Sequence, residues 1–300
     1  MTSFNEHVVS VGDFSDLNLL NKETKHSHKG DNGKVLVIAG SSLFHSPGLW
    51  AAELLAHFAD LVFFYSPHHN NRELLMKTKK NFFNGIVVTA QDLDWYIQES
   101  DVILMGPGLM RRKNNTDTTP NVSTTIQIEA IEDEGVLTHV LTNYLLSRYP
   151  EKKWILDAGA LQELELEHCS ASMIYTPHKG ELNRLFPLGF PDDLKQAPLG
   201  TWLIKDNGID YIKSSAIAEV WKSDGGNEGL TKGGTGDLLA ALVAALHIRN
   251  PPLLACAAGS YVIKQAADVL YQRVGPYYTT TELLNAIPEV VWSLASKTQG

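Results

Sequence analysis

The chain has 300 residues, with 25 Lys and Arg against 34 Asp and Glu, a net charge of −9 with histidine neutral. With 44% hydrophobic and 20% charged residues it has the composition of a globular protein with a large core, not of a disordered chain. The acidic balance excludes binding to nucleic acid by phosphate neutralisation, but not an anionic ligand, which glycine-rich helix starts hold without net positive charge.

Residues 1–25 are expected to form an arm and a helix on the edge of one domain spanning residues 1–300, and Met1 to Asp16 carries no basic-then-apolar leader. Val35-Leu-Val-Ile-Ala39 reads as a buried parallel strand ending at Gly40-Ser-Ser, followed by helical periodicity over Leu49 to Phe58. Strands are expected at Leu61 to Tyr65, Gly85 to Thr89 and Val102 to Met105, the last stopped by Gly106-Pro107-Gly108. The Asn- and Thr-rich stretch Arg111 to Thr125 reads as a surface loop and Val136 to Tyr149 as an amphipathic helix. Further strands follow at Trp154 to Asp157, Met173 to Thr176, Trp202 to Lys205 and Ile209 to Ile212. The last third is helical over Asp237 to His247, Leu253 to Val274 and Thr281 to Lys297. Strands alternating with long helices predict an α/β fold, a parallel sheet covered on both faces. The longest apolar run, Leu238 to Leu246, is too short to cross a bilayer, so a cytoplasmic protein meeting neither membrane nor nucleic acid is expected.

The strongest chemical signal is Lys232-Gly-Gly-Thr-Gly-Asp237, which leads straight into an apolar helix. Glycines let the backbone approach a ligand, and the helix start aims free N–H groups and partial positive charge at it. A phosphoryl group in transfer would be stabilised there, and the Asp237 carboxylate could accept a proton from an attacking hydroxyl. The blander alternative is that Asp237 caps the helix and the glycines only turn the chain. Neither a P-loop nor a Gly-x-Gly-x-x-Gly after a strand is present.

Other segments have two readings each. Thr176-Pro177 could simply set a helix entry, or His178 could hydrogen-bond a substrate while Glu181 stands near Mg2+, an ion that takes carboxylates, waters and phosphates. Gly106-Pro-Gly108 is a tight turn or a ligand wall at a strand's carboxyl end. Asp157 is a structural carboxylate or a magnesium-side acid. Lys29 to Gly33 serves as a loop positioning the first strand. His68 and His69 are adjacent and lack metal-ligand spacing, and Cys169 and Cys256 have no neighbouring cysteine and no activating context.

Together these stretches resemble a known family. Lys232-Gly-Gly-Thr-Gly-Asp-Leu-Leu-Ala-Ala is similar to the signature of the ADP/ATP-dependent NAD(P)H-hydrate dehydratases of the ribokinase-like superfamily. His28-Lys-Gly-Asp-Asn-Gly-Lys-Val-Leu-Val-Ile-Ala-Gly-Ser41, Gly106-Pro-Gly-Leu109, Leu156-Asp-Ala-Gly-Ala-Leu161, Thr176-Pro-His-Lys-Gly-Glu181 and Asn227-Glu-Gly-Leu-Thr231 match in the same order. The resemblance implies a ribokinase-like three-layer α/β/α sandwich around a mostly parallel sheet, and a homo-oligomer, a tetramer. It implies dehydration of hydrated NADH or NADPH, with ADP or ATP as phosphoryl donor and Mg2+ on its phosphates. Asp237 would be the base and Gly234, Thr235 and Gly236 the anion hole. Pro47, Gly106, Gly108, His178 and Asp237 would meet the hydrate. Lys205, Asp206, Asn207, Gly208, Ile209, Asn227 and Gly236 would meet the nucleotide. Glu181 and Asp157 would serve the metal, directly or through water.

The chain departs from the family pattern in three places. Ser46-Pro47-Gly48 stands where Gly-Ala-Pro is usual, Gly159 replaces an aspartate, and Lys205-Asp206-Asn207-Gly208-Ile209 stands for Lys-Gly-x-x-Thr. Asp206, in place of a glycine, is expected to repel a nucleotide's phosphates unless it points to solvent or accepts from ribose hydroxyls. A kinase of a small alcohol or a non-catalytic nucleotide-binding relative are the competing functions, the second suggested by Gly159, Asp206 and Ile209.

Overall fold

The computed structural model describes residues 8–13, 20, 28, 30–77, 85–113, 119–187, 198–206 and 208–296. Its first half comprises β1 (Val8–Ser10), β2 (Lys34–Ile38), α1 (Ser46–Leu55), β3 (Leu61–Tyr65), α2 (His69–Lys77), β4 (Gly85–Val87), α3 (Leu93–Glu99), β5 (Val102–Met105), α4 (Thr125–Glu129) and α5 (Glu134–Arg148). The second half comprises β6 (Lys153–Leu156), α6 (Ala158–Gln162), β7 (Ile174–Tyr175), α7 (Lys179–Leu185), β8 (Thr201–Asp206), β9 (Ile209–Ser214), β10 (Val220–Asp224), α8 (Thr235–His247), α9 (Pro252–Val274) and α10 (Thr280–Ser296). The strands form one sheet in the order β1-β10-β9-β8-β7-β6-β5-β2-β3-β4.

From β4 to β8 every pairing is parallel. Such strands are covered on both faces and therefore read as continuous apolar runs. Their alternating side chains divide between two cores. Val35, Val37, Phe64, Leu104 and Ile155 meet α1, α8, α9 and α10 on one face. Leu36, Ile38, Phe63, Met105 and Trp154 meet α3, α5 and α6 on the other. This is the three-layer α/β/α sandwich that the family resemblance implies.

The sheet is mostly parallel, as expected, and the exception lies at one end, where β9 runs antiparallel to β8 and β10. The reason is local: Asp206 pairs with Ile209, leaving Asn207-Gly208 as a two-residue link, and only antiparallel strands can be joined so tightly. Of residues 1–25, residues 8–10 form β1, paired parallel to β10 at one side of the sheet, and residues 11–13 a 3-10 turn. The rest of the expected arm and helix, apart from Leu20, lies outside the described residues. Two starts also move. α1 begins at Ser46 with Pro47 in its first turn, a position proline's fixed φ suits. α8 begins at Thr235, so Asp237 lies inside the first turn and Gly234 holds the cap position.

Among the described residues one helical stretch, α9 with the 3-10 turn that extends it to Tyr277, is long and apolar enough to cross a bilayer, and two thirds of its most apolar window is buried inside the fold.

The turns that follow β5 and β6 interlock. Gly40 N–H donates to the Pro107 carbonyl (2.8 Å) and Asp157 N–H to the Met105 carbonyl (3.1 Å). A Cβ on Gly159 would overlap the Leu109 backbone and come within 2.9 Å of its Cβ. The missing carboxylate at position 159 is therefore a packing adaptation: no side chain fits between α6 and the β5 turn. Gly159→Ala should cost about 1–3 kcal/mol, the usual range for overpacking. Gly233→Ala, with nothing within 4 Å of the added atom, should leave the melting temperature unchanged or slightly raised. Thermal unfolding of the two variants checks this.

Candidate active site

The carboxyl ends of β6, β7 and β8 converge on a cavity of about 730 Å³, within the size range of small-molecule sites. Its polar end is formed by His178, Lys179, Lys205, Asp206 and Gly236, and its apolar end by Leu230, Leu239 and Ile263.

Lys205 organises the polar end. Its Nζ lies 3.1 Å from Asp157 Oδ1, which also accepts from Thr176 Oγ1 at 2.7 Å. Burial works against the Lys205 charge, but the carboxylates of Asp157, Glu181 and Asp237 outweigh it and hold its pKa above the ordinary value. A Cβ on Gly236 would come 3.4 Å from Lys205 Nζ, so the ammonium lies against the start of α8. The helix cap beside it carries no side chain: Gly234 has φ +97° and makes no side-chain capping bond. A side chain there would collide with the Trp50 ring, and only glycine adopts that φ at little cost. The positive φ falls here, whereas Gly236 is helical.

Asp237 does not line the cavity; it lies just past Gly236, among the same charges. Burial first, and then the Asp157 carboxylate, push its pKa up to about 7 against the opposing pull of Lys205. A carboxylate poised near neutrality suits proton transfer. Thr235 turns inward on the loop, donating from Oγ1 to the carbonyls of Leu230 (2.6 Å) and Lys232 (2.9 Å). Lys232 is also structural, its ammonium capping the carbonyls of Pro276 and Tyr278.

His178 and Glu181 form a capping box at the start of α7, so His178 and not Thr176-Pro177 sets the helix entry. His178 Nδ1 accepts from the N–H groups of Gly180 (2.9 Å) and Glu181 (3.2 Å), and its Nε2 lies 3.6 Å from Glu181 Oε1. Both Glu181 oxygens are engaged, Oε2 by His178 N–H (2.9 Å) and Oε1 by Gln162 Nε2 (2.9 Å). Each oxygen accepts one hydrogen bond and keeps a second lone pair, so these bonds orient the carboxylate without using up its capacity for a cation or a bridging water. Asp157 takes both of its bonds on Oδ1 and so has Oδ2 left for a cation.

The remaining expected residues fall in several places. Asp206 and Gly208 line the cavity, Ile209 is a strand residue outside the lining, and Asn207 lies outside the described residues. Asn227 lines the cavity, but its amide is committed, Oδ1 to Gly229 N–H and Tyr278 OH and Nδ2 to Asp268. Gly106 and Gly108 border the β5 turn beside Asp157 and Phe44, and Pro47 lies in the first turn of α1, away from the cavity. Asp206 is not a bare charge, because its Oδ2 lies 3.1 Å from Lys179 Nζ. Lys179, Asp210, Gly225, Gly226 and Lys264 also line the cavity and were not singled out by the sequence. Signals for them existed in the Gly-Gly pair after β10 and in a lone lysine on the apolar stripe of α9.

A family model described as NAD(P)H-hydrate dehydratase matches residues 35–289. The chain belongs to the NAD(P)H-hydrate dehydratase family. It is 30% identical over 296 residues to the bifunctional NAD(P)H-hydrate repair enzyme Nnr of Methanocaldococcus jannaschii, covering 95% of this chain and 53% of that protein. The chain thus spans about half the length of the first relatives it matches. A shorter family member, the ADP-dependent (S)-NAD(P)H-hydrate dehydratase of Nitrosopumilus maritimus, is 29% identical over 88% of this chain and 90% of its own. The fold is that of a ribokinase-like superfamily protein from Enterococcus faecalis (TM-score 0.74, 20% identity, 96% of each chain). It is also that of the dehydratase from Bacillus subtilis co-crystallised with ATP and Mg2+ (TM-score 0.63, 20% identity, 93% of this chain and 96% of that one).

The raised pKa of Asp237 is also a statement about stability. Between the ordinary carboxylate value and about 7 the folded chain binds this proton more tightly than the unfolded chain, so the contribution of Asp237 to stability falls as pH rises through that window. Asp237→Asn should therefore be more stable than the parent at pH 8, and the gap should close towards pH 4. Chemical denaturation of both chains across this range checks it.

Proposed function

We propose that this chain dehydrates hydrated NADH or NADPH at the expense of ADP or ATP. The observation that carries the reading is the Asp237 carboxylate, raised to about 7, in the first turn of α8 at the end of a cavity of nucleotide size. The match of the family model over residues 35–289 supports the same reaction. The names of the two relatives supply the substrate and, for one of them, ADP.

In this reading the base lies at the apolar end, against Leu230, Leu239 and Ile263, and the phosphates lie at Gly236 and Lys205. The ring hydroxyl of the hydrate attacks the terminal phosphorus while Asp237 takes its proton; the bond to the bridging oxygen breaks, and AMP (from ADP) or ADP (from ATP) leaves with the electron pair. The N-terminal turn of α8 and the Lys205 ammonium hold the charge that develops on the moving phosphoryl group. The C–O bond then breaks, phosphate leaves with the electron pair, and loss of a neighbouring ring proton restores the double bond. Mg2+ would be held by Asp157 and the phosphates, with Glu181 serving it directly or through a water, and would neutralise phosphate charge. The Lys179–Asp206 pair weakens the case for a non-catalytic relative, since the added carboxylate has its own counter-charge.

The deciding experiment incubates hydrated NADH with Mg2+ and either ADP or ATP and follows the absorbance of the reduced nicotinamide. Recovery with one nucleotide is expected and identifies the donor. Asp237→Asn should lower turnover by about 10²–10⁴-fold and leave nucleotide affinity within a few fold; full turnover in that variant would remove Asp237 from the chemistry.

Lys179→Met leaves Asp206 facing the phosphates and should weaken nucleotide binding by about 3–10-fold at low salt, the scale of a solvent-screened charge contact. Lys179→Met/Asp206→Gly should bring affinity back towards that of the parent. A titration series over the two single variants and the double variant gives the coupling.

A further inference from the structure

Helix α9 presents an almost unbroken apolar stripe to the core, with Ala258, Val262, Ala266 and Ala267 fully buried. Lys264 interrupts it, and its side chain is only 4% exposed. A lysine in such a place is costly unless its charge is matched. Three elements match it: Nζ lies 3.1 Å from Asp210 Oδ2 on β9 and donates to the Ser223 carbonyl on β10 at 2.7 Å. Ser260, one turn earlier on α9, donates to the same Asp210 oxygen at 2.5 Å. Burial lowers the Lys264 pKa below its ordinary value, and the Asp210 carboxylate opposes that shift only in part.

The cluster adjoins the nucleotide end of the site. Asp210, Gly225, Gly226 and Lys264 line the same cavity as Lys205 and Gly236. Ser223, whose carbonyl Lys264 grips, stands two residues before Gly225, and a Cβ on Gly226 would come 3.2 Å from the Lys264 Cγ. The ammonium thus ties the end of β10 to α9 and its methylene stem backs the glycine pair. A well-packed apolar residue would stabilise the core as well as this buried pair does. What the pair supplies is direction, a fixed separation between the antiparallel hairpin and the helix layer. We propose that Lys264, paired with Asp210 and the Ser223 carbonyl, is a positioning residue that sets the width of the nucleotide cavity at Gly225-Gly226. It acts on nucleotide affinity and not on phosphoryl transfer. This rests on the reading that the nucleotide occupies this cavity.

The test titrates ADP and ATP, by calorimetry and by steady-state kinetics, into the parent, Lys264→Met, Lys264→Met/Asp210→Asn and Ser260→Ala. Lys264→Met should raise the nucleotide Kd and KM by about tenfold or more, since displacements of about 1 Å in positioning groups cost up to about 10²-fold. At saturating nucleotide its kcat, and its KM for the hydrate, should stay within about twofold of the parent. Removing both charges in the double variant avoids a bare buried carboxylate, and the affinity loss should remain because the Ser223 tether is gone. Ser260→Ala removes one hydrogen bond, keeps the fold, and should shift affinity in the same direction by a smaller factor. A merely structural role lowers the melting temperature and leaves nucleotide affinity alone. Kd values within about twofold of the parent in the folded variants therefore overturn the proposal; should neither Lys264 variant fold, an unchanged Kd in Ser260→Ala overturns it. A parent that binds neither nucleotide overturns the functional reading and this role with it. A parent that binds while its variants bind equally overturns the positioning role alone.

Discussion

A single ammonium at the carboxyl end of β8 decides what the neighbouring acids can do. Lys205 is bonded to Asp157 and feels Glu181 and Asp237 as well, so three carboxylates share one positive charge in a largely dry place. Asp157 sits closest and takes most of that charge. Asp237 is left with burial and a like-charged neighbour, which drive it to about 7. Were Lys205 replaced by a neutral residue, the acids would repel one another and take up protons, and the base and the anion-holding charge would be lost together. The surplus of negative charge favours an anionic ligand that brings a divalent cation with it over one that comes bare.

The walls of the cavity depend on two different supports. The end at Lys205 is built on parallel strands whose turns interlock through Gly159 and Leu109, and on the capping box of α7. The opposite end hangs on the antiparallel hairpin β9–β10, which touches the helix layer through Asp210, Ser260 and Lys264. Backbone register holds the first support and one buried ion pair the second. Strain introduced in one is therefore expected to leave the other standing, as additivity between well-separated sites requires.

Much of this was legible in the chain itself. Buried parallel strands advertise themselves as apolar runs, and β3 and β5 fall where Leu61 to Tyr65 and Val102 to Met105 predict them. β10 escaped because Val-Trp-Lys-Ser-Asp has neither a run nor a clean alternation; its position is fixed by Lys264 from a distant helix. The antiparallel pairing of β8 with β9 has its sequence signal in the Asn-Gly dipeptide between them, a strong hairpin marker, but the family resemblance assigns that segment to a ligand. At the site, the ordered motifs located Asp157, His178, Lys205 and Gly236 together. They could not show that His178 and Glu181 spend their polar atoms on each other, nor that Asp206 has a partner. Pairings between residues distant in sequence leave no local pattern to read.

The bare cap of α8 carries a last consequence. Most helices settle their first N–H groups on a side-chain oxygen, and here the cap is Gly234, which has none. An anion bound beside Gly236 would complete the first turn of α8 as a side-chain cap does elsewhere. Helices α1, α3, α6 and α9 also start without a side-chain cap, but α8 is the one whose first turn lines the cavity, where a ligand would add a cap to its other contacts. Resistance to unfolding and to proteolysis around residues 233–237 should then depend on phosphate more steeply than the area of contact alone would suggest.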